Sequence, residues 1–369
     1  MPFFNPTGIY KQVAGNIIGG TGSLILNVSG VSNIGLGPAT LGNNVAGSRN
    51  IAIGTSALNA QLSDDCVAIG SNSNALSTTG FRNISIGTNS LAALVNAGAA
   101  NDDDNVSIGD NSAAQGTGAF LLQNVIIGSS AARGLISNSR YLGSVVIGYQ
   151  AAQSCLVVSD SVVVGASNAN LANVNSTVTT SVIIGKSVFT SGQNVSDSVL
   201  IGRQIADSLP GVSSITNSIH VGARCARNAR GTTNILIGGD AAAGITVGNN
   251  NVILGANSQP VADVSDSIVI GESASLSLSS AWIVGKIGVK QAIKEGANAA
   301  MGVATLVAGT VTVANTLVSA NSRLFYSVQI AGGVQGFLSS TRVNGTSFTI
   351  NSTNALDTST VAWEIKEPG

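Results

Sequence analysis

Along residues 33–285 one short pattern of polar and apolar positions recurs: a polar residue, an aliphatic, a variable residue, an aliphatic, then glycine. It reads "NIAIGTSAL" at 50–58, "NISIGTNSL" at 83–91, "SVIIGKSVF" at 181–189 and "SIVIGESAS" at 267–275. The closing glycines are Gly37, Gly54, Gly70, Gly87, Gly109, Gly128, Gly148, Gly165, Gly185, Gly202, Gly222, Gly238, Gly255, Gly271 and Gly285, spaced 14 to 22 residues apart. That period is too short for helical or propeller repeats and fits one coil of a β-solenoid, about 15 coils in all. Glycine stands where the chain turns sharply. The leading Asn or Ser satisfies backbone groups at the corner. Insertions such as "LVNAGAANDDD" (94–104) loop outward between coils.

Period-2 geometry places the two aliphatics on one face and the variable residue on the other. The aliphatic pair is expected to stack into the core. The variable position is small at Gly35, Ala52, Ala68, Ser85 and Ser107. It then becomes Ile126, Val146, Val163, Ile183, Leu200, His220, Leu236, Ile253, Val269 and Ile283. A bulky stripe is not left in water, so these ten positions are expected to face partner chains in an intimate homo-oligomer.

After Gly285 the pattern changes. Residues 286–304 carry more charge and read as a neck; residues 305–369 alternate as short strands, with Asn344-Gly345 as a hairpin signal. The expected organisation is an N-terminal segment (1–32), a repeat shaft (33–285), the neck (286–304) and a small C-terminal β-domain (305–369).

Composition narrows the chemistry. Only 9% of residues are charged and net charge is −1, which excludes an electrostatic footprint for nucleic acid. No apolar run reaches the ~18 residues of a membrane span, and no basic start precedes a long apolar stretch, so neither membrane insertion nor a secretion signal is expected. Cys66, Cys155 and Cys225 lack metal-type spacing and read as small buried residues. Asp102, Asp103 and Asp104 read as a solvated loop, and no cofactor or metal site is expected. The single histidine, His220, lies in the variable stripe without an orienting acid or nucleophile. Paired carboxylates for glycan hydrolysis cannot be placed. Arg323, Tyr326, Arg342 and Trp363 are candidate sugar contacts. Phe3, Phe4 and Tyr10 concentrate aromatics at the N-terminus and read as a docking peptide.

The units "NIAIGTSAL" and "NISIGTNSL" resemble the head repeats of trimeric autotransporter adhesins. That resemblance implies a left-handed parallel β-roll in an intertwined homotrimer. "AGTVTV", "ANSRLF", "GTSFTINS" and "DTSTVAWEIKEP" resemble a C-terminal domain common in tailed-phage fibre and other virion proteins, here expected to be sandwich-like. Together they imply a non-enzymatic bacteriophage tail fibre or tailspike-like adhesin, exposed on the virion and assembled in the host cytoplasm. It would dock on another virion protein through its N-terminus and bind a host surface glycan or protein by multivalency. The alternatives are a capsid-attached head fibre or decoration protein, and a glycan-cleaving tailspike.

Overall fold

The computed structural model describes residues 11–13, 15–60, 62–76, 78, 80–92, 94–95, 103–114, 116–117, 120–133, 140–153, 156–168, 177–188, 193–205, 213–226, 231–242, 248–258, 264–275, 279, 282–284, 295–296 and 298–367. The chain forms two compact units, Met1–Gly288 and Val289–Gly369. Among the described residues no helix is long and apolar enough to cross a membrane.

The first unit is a parallel β-solenoid. Each coil gives one short strand to a continuous ladder, running from Asn16–Gly19 through Ile34–Leu36 and Ile51–Ile53 to Trp282–Val284. The sheet has 17 strands; one, Lys11–Val13, pairs antiparallel at its head, so sixteen are parallel rungs. The rung at Asn16–Gly19 shows that the shaft begins inside the segment 1–32. A second parallel sheet, from Phe120–Leu122 to Gly231–Thr232, accompanies the middle of the shaft.

The repeat pattern encodes these coils directly. Closing glycines have positive φ, such as +118° at Gly54, and stack closely on the next rung. A Cβ at Gly54 would lie 2.7 Å from the carbonyl of Gly70, so both the dihedral and the contact exclude a side chain. Among the described residues, the one two places before a rung's first aliphatic is also left-handed: Arg49, Asp65, Arg82, Asp104, Asp160, Thr180 and Asp197 are part of this leading corner. Between corner and rung lies a buried small residue, Asn or Ser in most coils and Cys66 after Asp65. The amide N of Asn33 donates to Asn16 Oδ1 at 2.7 Å, and that of Asn50 to Asn33 Oδ1 at 2.9 Å. Ser161 N and Ser181 N continue the ladder onto Ser144 Oγ and Ser161 Oγ. These side chains replace water for backbone groups that the corner would otherwise strand.

The two faces of the rung are reversed from the sequence-based expectation. The variable residue points into the coil: Ile126, Val146, Val163, Ile183, Leu200, His220, Leu236, Ile253 and Val269 are at most 2% exposed within one chain, and Ile283 is partly buried. They therefore cannot form a stripe against partner chains. The flanking aliphatics point outward, as with Ile184 (37%), Ile237 (41%) and Ile270 (38%). The narrow coil accepts one rung residue between its walls. In the coils where that residue is Gly35, Ala52 or Ser85, the residue four places after the glycine is large, and Leu41, Leu58 and Leu91 are wholly buried; the coils of Ala68 and Ser107 carry Asn74 and Ala113 there instead. Where the rung residue is large, that position is Ala132, Ala152, Ala226 or Ala242. In the middle coils Leu121, Tyr141, Val158, Val178, Val195 and Ile215 of the second sheet complete the core. In these coils a large residue at one position is offset by a small one at the other, as close packing favours.

The second unit contains two three-stranded antiparallel sheets. One orders Met301–Thr305, Thr360–Lys366 and Arg323–Ile330; the other orders Thr310–Ala314, Ser347–Ser352 and Leu338–Val343. Leu306, Val318, Phe348, Ile350, Val361, Trp363 and Ile365 form its core. The strand Met301–Thr305 starts within residues 286–304, so the module reaches back into the expected neck. Val343 pairs with Ser347 around Asn344-Gly345-Thr346, with Gly345 at φ +65°, as the hairpin signal predicts.

Candidate functional site

Two of the four candidate sugar contacts come together on the C-terminal module. Arg323–Ile330 and Leu338–Val343 are each an edge strand, one in each of its two sheets. Tyr326 sits half-buried on the first, and Arg342 is exposed on the second. The Arg342 guanidinium donates to the Ser322 carbonyl. The hydroxyl of Ser319 donates to Glu367 Oε2 at 2.7 Å, and that of Ser322 to Oε1. These hydroxyls, helped by the Arg342 charge, hold the Glu367 carboxyl below the usual carboxylate range. Burial pushes the Tyr326 phenol upward, so it is protonated at neutral pH. Its hydroxyl lies beside Ser340 and Arg342 without a hydrogen bond of normal geometry.

This arrangement offers a guanidinium fork for a carboxylate, hydroxyls for sugar oxygens and a phenol ring for stacking. Arg323 is exposed at the start of the same edge strand, opposite Lys366. Trp363 is not part of the surface. It is 3% exposed and packs edge-to-face on Phe348, ring centroids 5.0 Å apart. Alternation along Thr360–Lys366 sends Val361, Trp363 and Ile365 inward, a signal readable in "TVAWEIK". Ser319, Ser322 and Glu367 escaped the sequence reading because residues 48 and 45 apart meet here only through sheet pairing.

The shaft candidates are structural. His220 is enclosed between the rungs carrying Leu200 and Leu236, and burial pushes its imidazole down to about 4. Neither ring nitrogen has a hydrogen-bond partner, so it is no proton-transfer group for an external substrate. Burial raises the Cys66 thiol to about 11 and the Cys225 thiol to about 12, which makes both inert. Asp103 accepts from the Phe81 amide at 2.7 Å, and Asp104 pairs with Arg82 at 2.5 Å, so both are corner groups rather than loop groups. Arg49 pairs with Asp64 and Asp65 in the same column. Among the described residues no group of three or more His, Cys, Asp or Glu is gathered for a metal. Phe3, Phe4, Tyr10, Asp102 and Cys155 lie outside the described residues.

No curated protein and no solved structure matches the chain. Comparison with known families matches residues 298–366 to the K1 capsule-specific polysaccharide lyase, C-terminal domain. The matched span coincides with the antiparallel module and covers about a fifth of the chain. The match overturns the expectation of a protein without enzymatic activity, because the C-terminal module is similar to one named for a glycan-cleaving enzyme.

Proposed function

We propose that the chain is a virion-associated tailspike whose activity is to cleave an acidic capsule-type polysaccharide by elimination. The observation that carries this reading is the similarity of residues 298–366 to the C-terminal domain of a polysaccharide lyase, placed after a parallel β-solenoid. A lyase removes the proton from the sugar carbon that bears the carboxyl group. The neighbouring C–O bond breaks, a C=C bond forms, and the leaving oxygen takes up a proton. The substrate must therefore carry carboxylates. Arg342, with Tyr326 and Arg323 nearby, engages such a group in this reading, and Glu367 fixes Ser319 and Ser322 beneath it.

The same reading makes the shaft a homotrimer. Its outward aliphatics form an apolar ladder over sixteen rungs, roughly 75 Å long at the ~4.8 Å rung spacing. A ladder about 10 Å wide presents roughly 750 Å² per chain, close to one side of a standard interface. Such a surface is covered in a soluble protein, and identical copies supply a matching surface. The N-terminal segment, with Phe3, Phe4 and Tyr10, attaches the trimer to a tail, baseplate or capsid protein.

The test is incubation with a panel of carboxylated capsular polysaccharides and neutral dextran. Falling chain length with rising ultraviolet absorbance from unsaturated ends is expected on at least one acidic polymer. Arg342→Ala should weaken its binding on the order of tenfold, the size of a lost charge-assisted pair. Intact polymers throughout would overturn the reading.

A further inference from the structure

The C-terminal module carries an apolar surface that neither its core nor the Arg342 cluster uses. Its strands run between two ends. At one end the chain enters at Met301 and leaves at Lys366. The connections 306–309, 331–337 and 353–359 all lie at the other. There Phe337 is 86% exposed, and Val307, Ile330, Val334 and Leu356 are between 54% and 72% exposed. These connections contain one charged side chain, Asp357, and it is buried.

The surface is held in shape. Val334 N donates to the Leu356 carbonyl at 3.2 Å, Thr353 N to the Phe337 carbonyl at 3.0 Å and Gly309 N to the Asp357 carbonyl at 3.1 Å. The Asp357 carboxylate accepts from Gly336 N at 3.1 Å and Ser359 N at 3.0 Å. All three connections are thereby tied together, and little conformational entropy is left to lose on contact. Phe325, the module's other exposed aromatic ring, differs: the Lys366 ammonium lies 5.4 Å from its centre.

The five apolar side chains expose on the order of 600 Å², near the ~800 Å² that one partner gives to a standard interface. Depletion of charge around an aromatic anchor is the composition of an interface core, most of all between identical chains. A carboxylated polymer finds no cation in these connections.

We infer that the occupant is a second copy of this chain: the loop ends of neighbouring C-terminal modules pack together around one axis. This rests on the trimeric reading above, which places the contact between copies on the shaft, and adds a separate contact made by the module itself. Chains joined by their shafts meet at an effective concentration of about millimolar, so a surface of this size associates. Identical loop ends around a closed axis bury one another and leave no apolar end to recruit further chains. A domain of roughly 70 residues is marginal alone, and the contact adds to the surface it buries.

Cross-linking of the full-length protein tests the contact. Gln335 is exposed within the apolar end, and Asn344 is exposed at the opposite end. A short bis-maleimide should join copies that carry Gln335→Cys. Copies that carry Asn344→Cys should stay at the background of the unsubstituted chain. Adding Phe337→Ser with Leu356→Ser should slow the Gln335→Cys cross-link on the order of tenfold or more. Circular dichroism should not change, since both side chains lie outside the core. Equal rates for the two cysteine variants, or no effect of the serines, would overturn the contact, and a trimer in light scattering would leave the shaft reading standing. A monomer that forms no cross-link would overturn both. Binding to phosphatidylcholine vesicles that the two serines abolish, without any cross-link, would overturn the inference in favour of a lipid surface.

Discussion

His220 makes the shaft sensitive to acid in a way that can be isolated. Its ring replaces an aliphatic side chain in the core column between Leu200 and Leu236, 2% exposed and without a hydrogen-bond partner. Burial lowers the imidazole from 6.5 to about 4. The unfolded chain therefore binds a proton that the folded chain refuses. Above pH 6.5 the group is neutral in both states and the linkage is silent. Between pH 6.5 and 4 stability falls by about 1.4 kcal/mol per pH unit, and the loss levels off near 3 kcal/mol. His220→Leu removes the linkage and places a matching aliphatic between its neighbours. At pH 7 the variant should already be more stable by about 1–3 kcal/mol, because a buried polar ring without partners is gone. Urea unfolding followed by circular dichroism at pH 7, 5.5 and 4.5 reads the gap between variant and wild type. The gap should widen by about 2–3 kcal/mol as pH falls. A gap independent of pH would refute the enclosed, neutral imidazole.

Three further outcomes are expected. Asn74 is wholly buried with neither side-chain polar atom bonded, at the position held by Leu41, Leu58 and Leu91 in nearby coils with the same left-handed backbone; Asn74→Leu should raise stability by about 2 kcal/mol in urea unfolding. Gly54→Ala should cost at least about 2 kcal/mol by the same assay, since its Cβ meets the Gly70 carbonyl at a φ of +118°. Asp357 accepts bonds from the Ser359 and Gly336 amides and the Ser352 hydroxyl, which hold its carboxyl well below the usual range. Asp357→Asn should lower the melting temperature of the C-terminal module at neutral pH. Because the folded value is depressed, that difference should shrink as pH falls below about 4, where the carboxylate protonates in the unfolded chain while the folded one still resists.

The repeat was legible because its glycines are required twice over, by backbone dihedral and by the distance to the next rung. The alternation in "GTVTV" and "SFTI" likewise marked strands of the C-terminal sheets, and Asn344-Gly345 marked their hairpin. Which face of the rung is inside was not legible from the rung alone. Period-2 geometry separates Ile51 and Ile53 from Ala52, yet both sets are apolar along most of the shaft. The deciding signal lies outside the rung: small Gly35 and Ala52 accompany Leu41 and Leu58, whereas bulky Ile126 and Val146 accompany Ala132 and Ala152. Only an enclosed pair of positions trades volume in this way. The C-terminal cluster was half legible. Arg342 and Tyr326 stand out by residue type in a chain poor in charge and aromatics. Glu367 and its serines become neighbours only when strand pairing within one sheet brings distant segments together.

The mass of the digestion products separates elimination from hydrolysis. Carboxylated capsular polysaccharide digested by the purified protein should yield oligosaccharides whose new non-reducing ends are unsaturated and one water lighter than hydrolysis products. Saturated ends carrying the elements of water, or polymers left at full length on every carboxylated substrate, would contradict elimination.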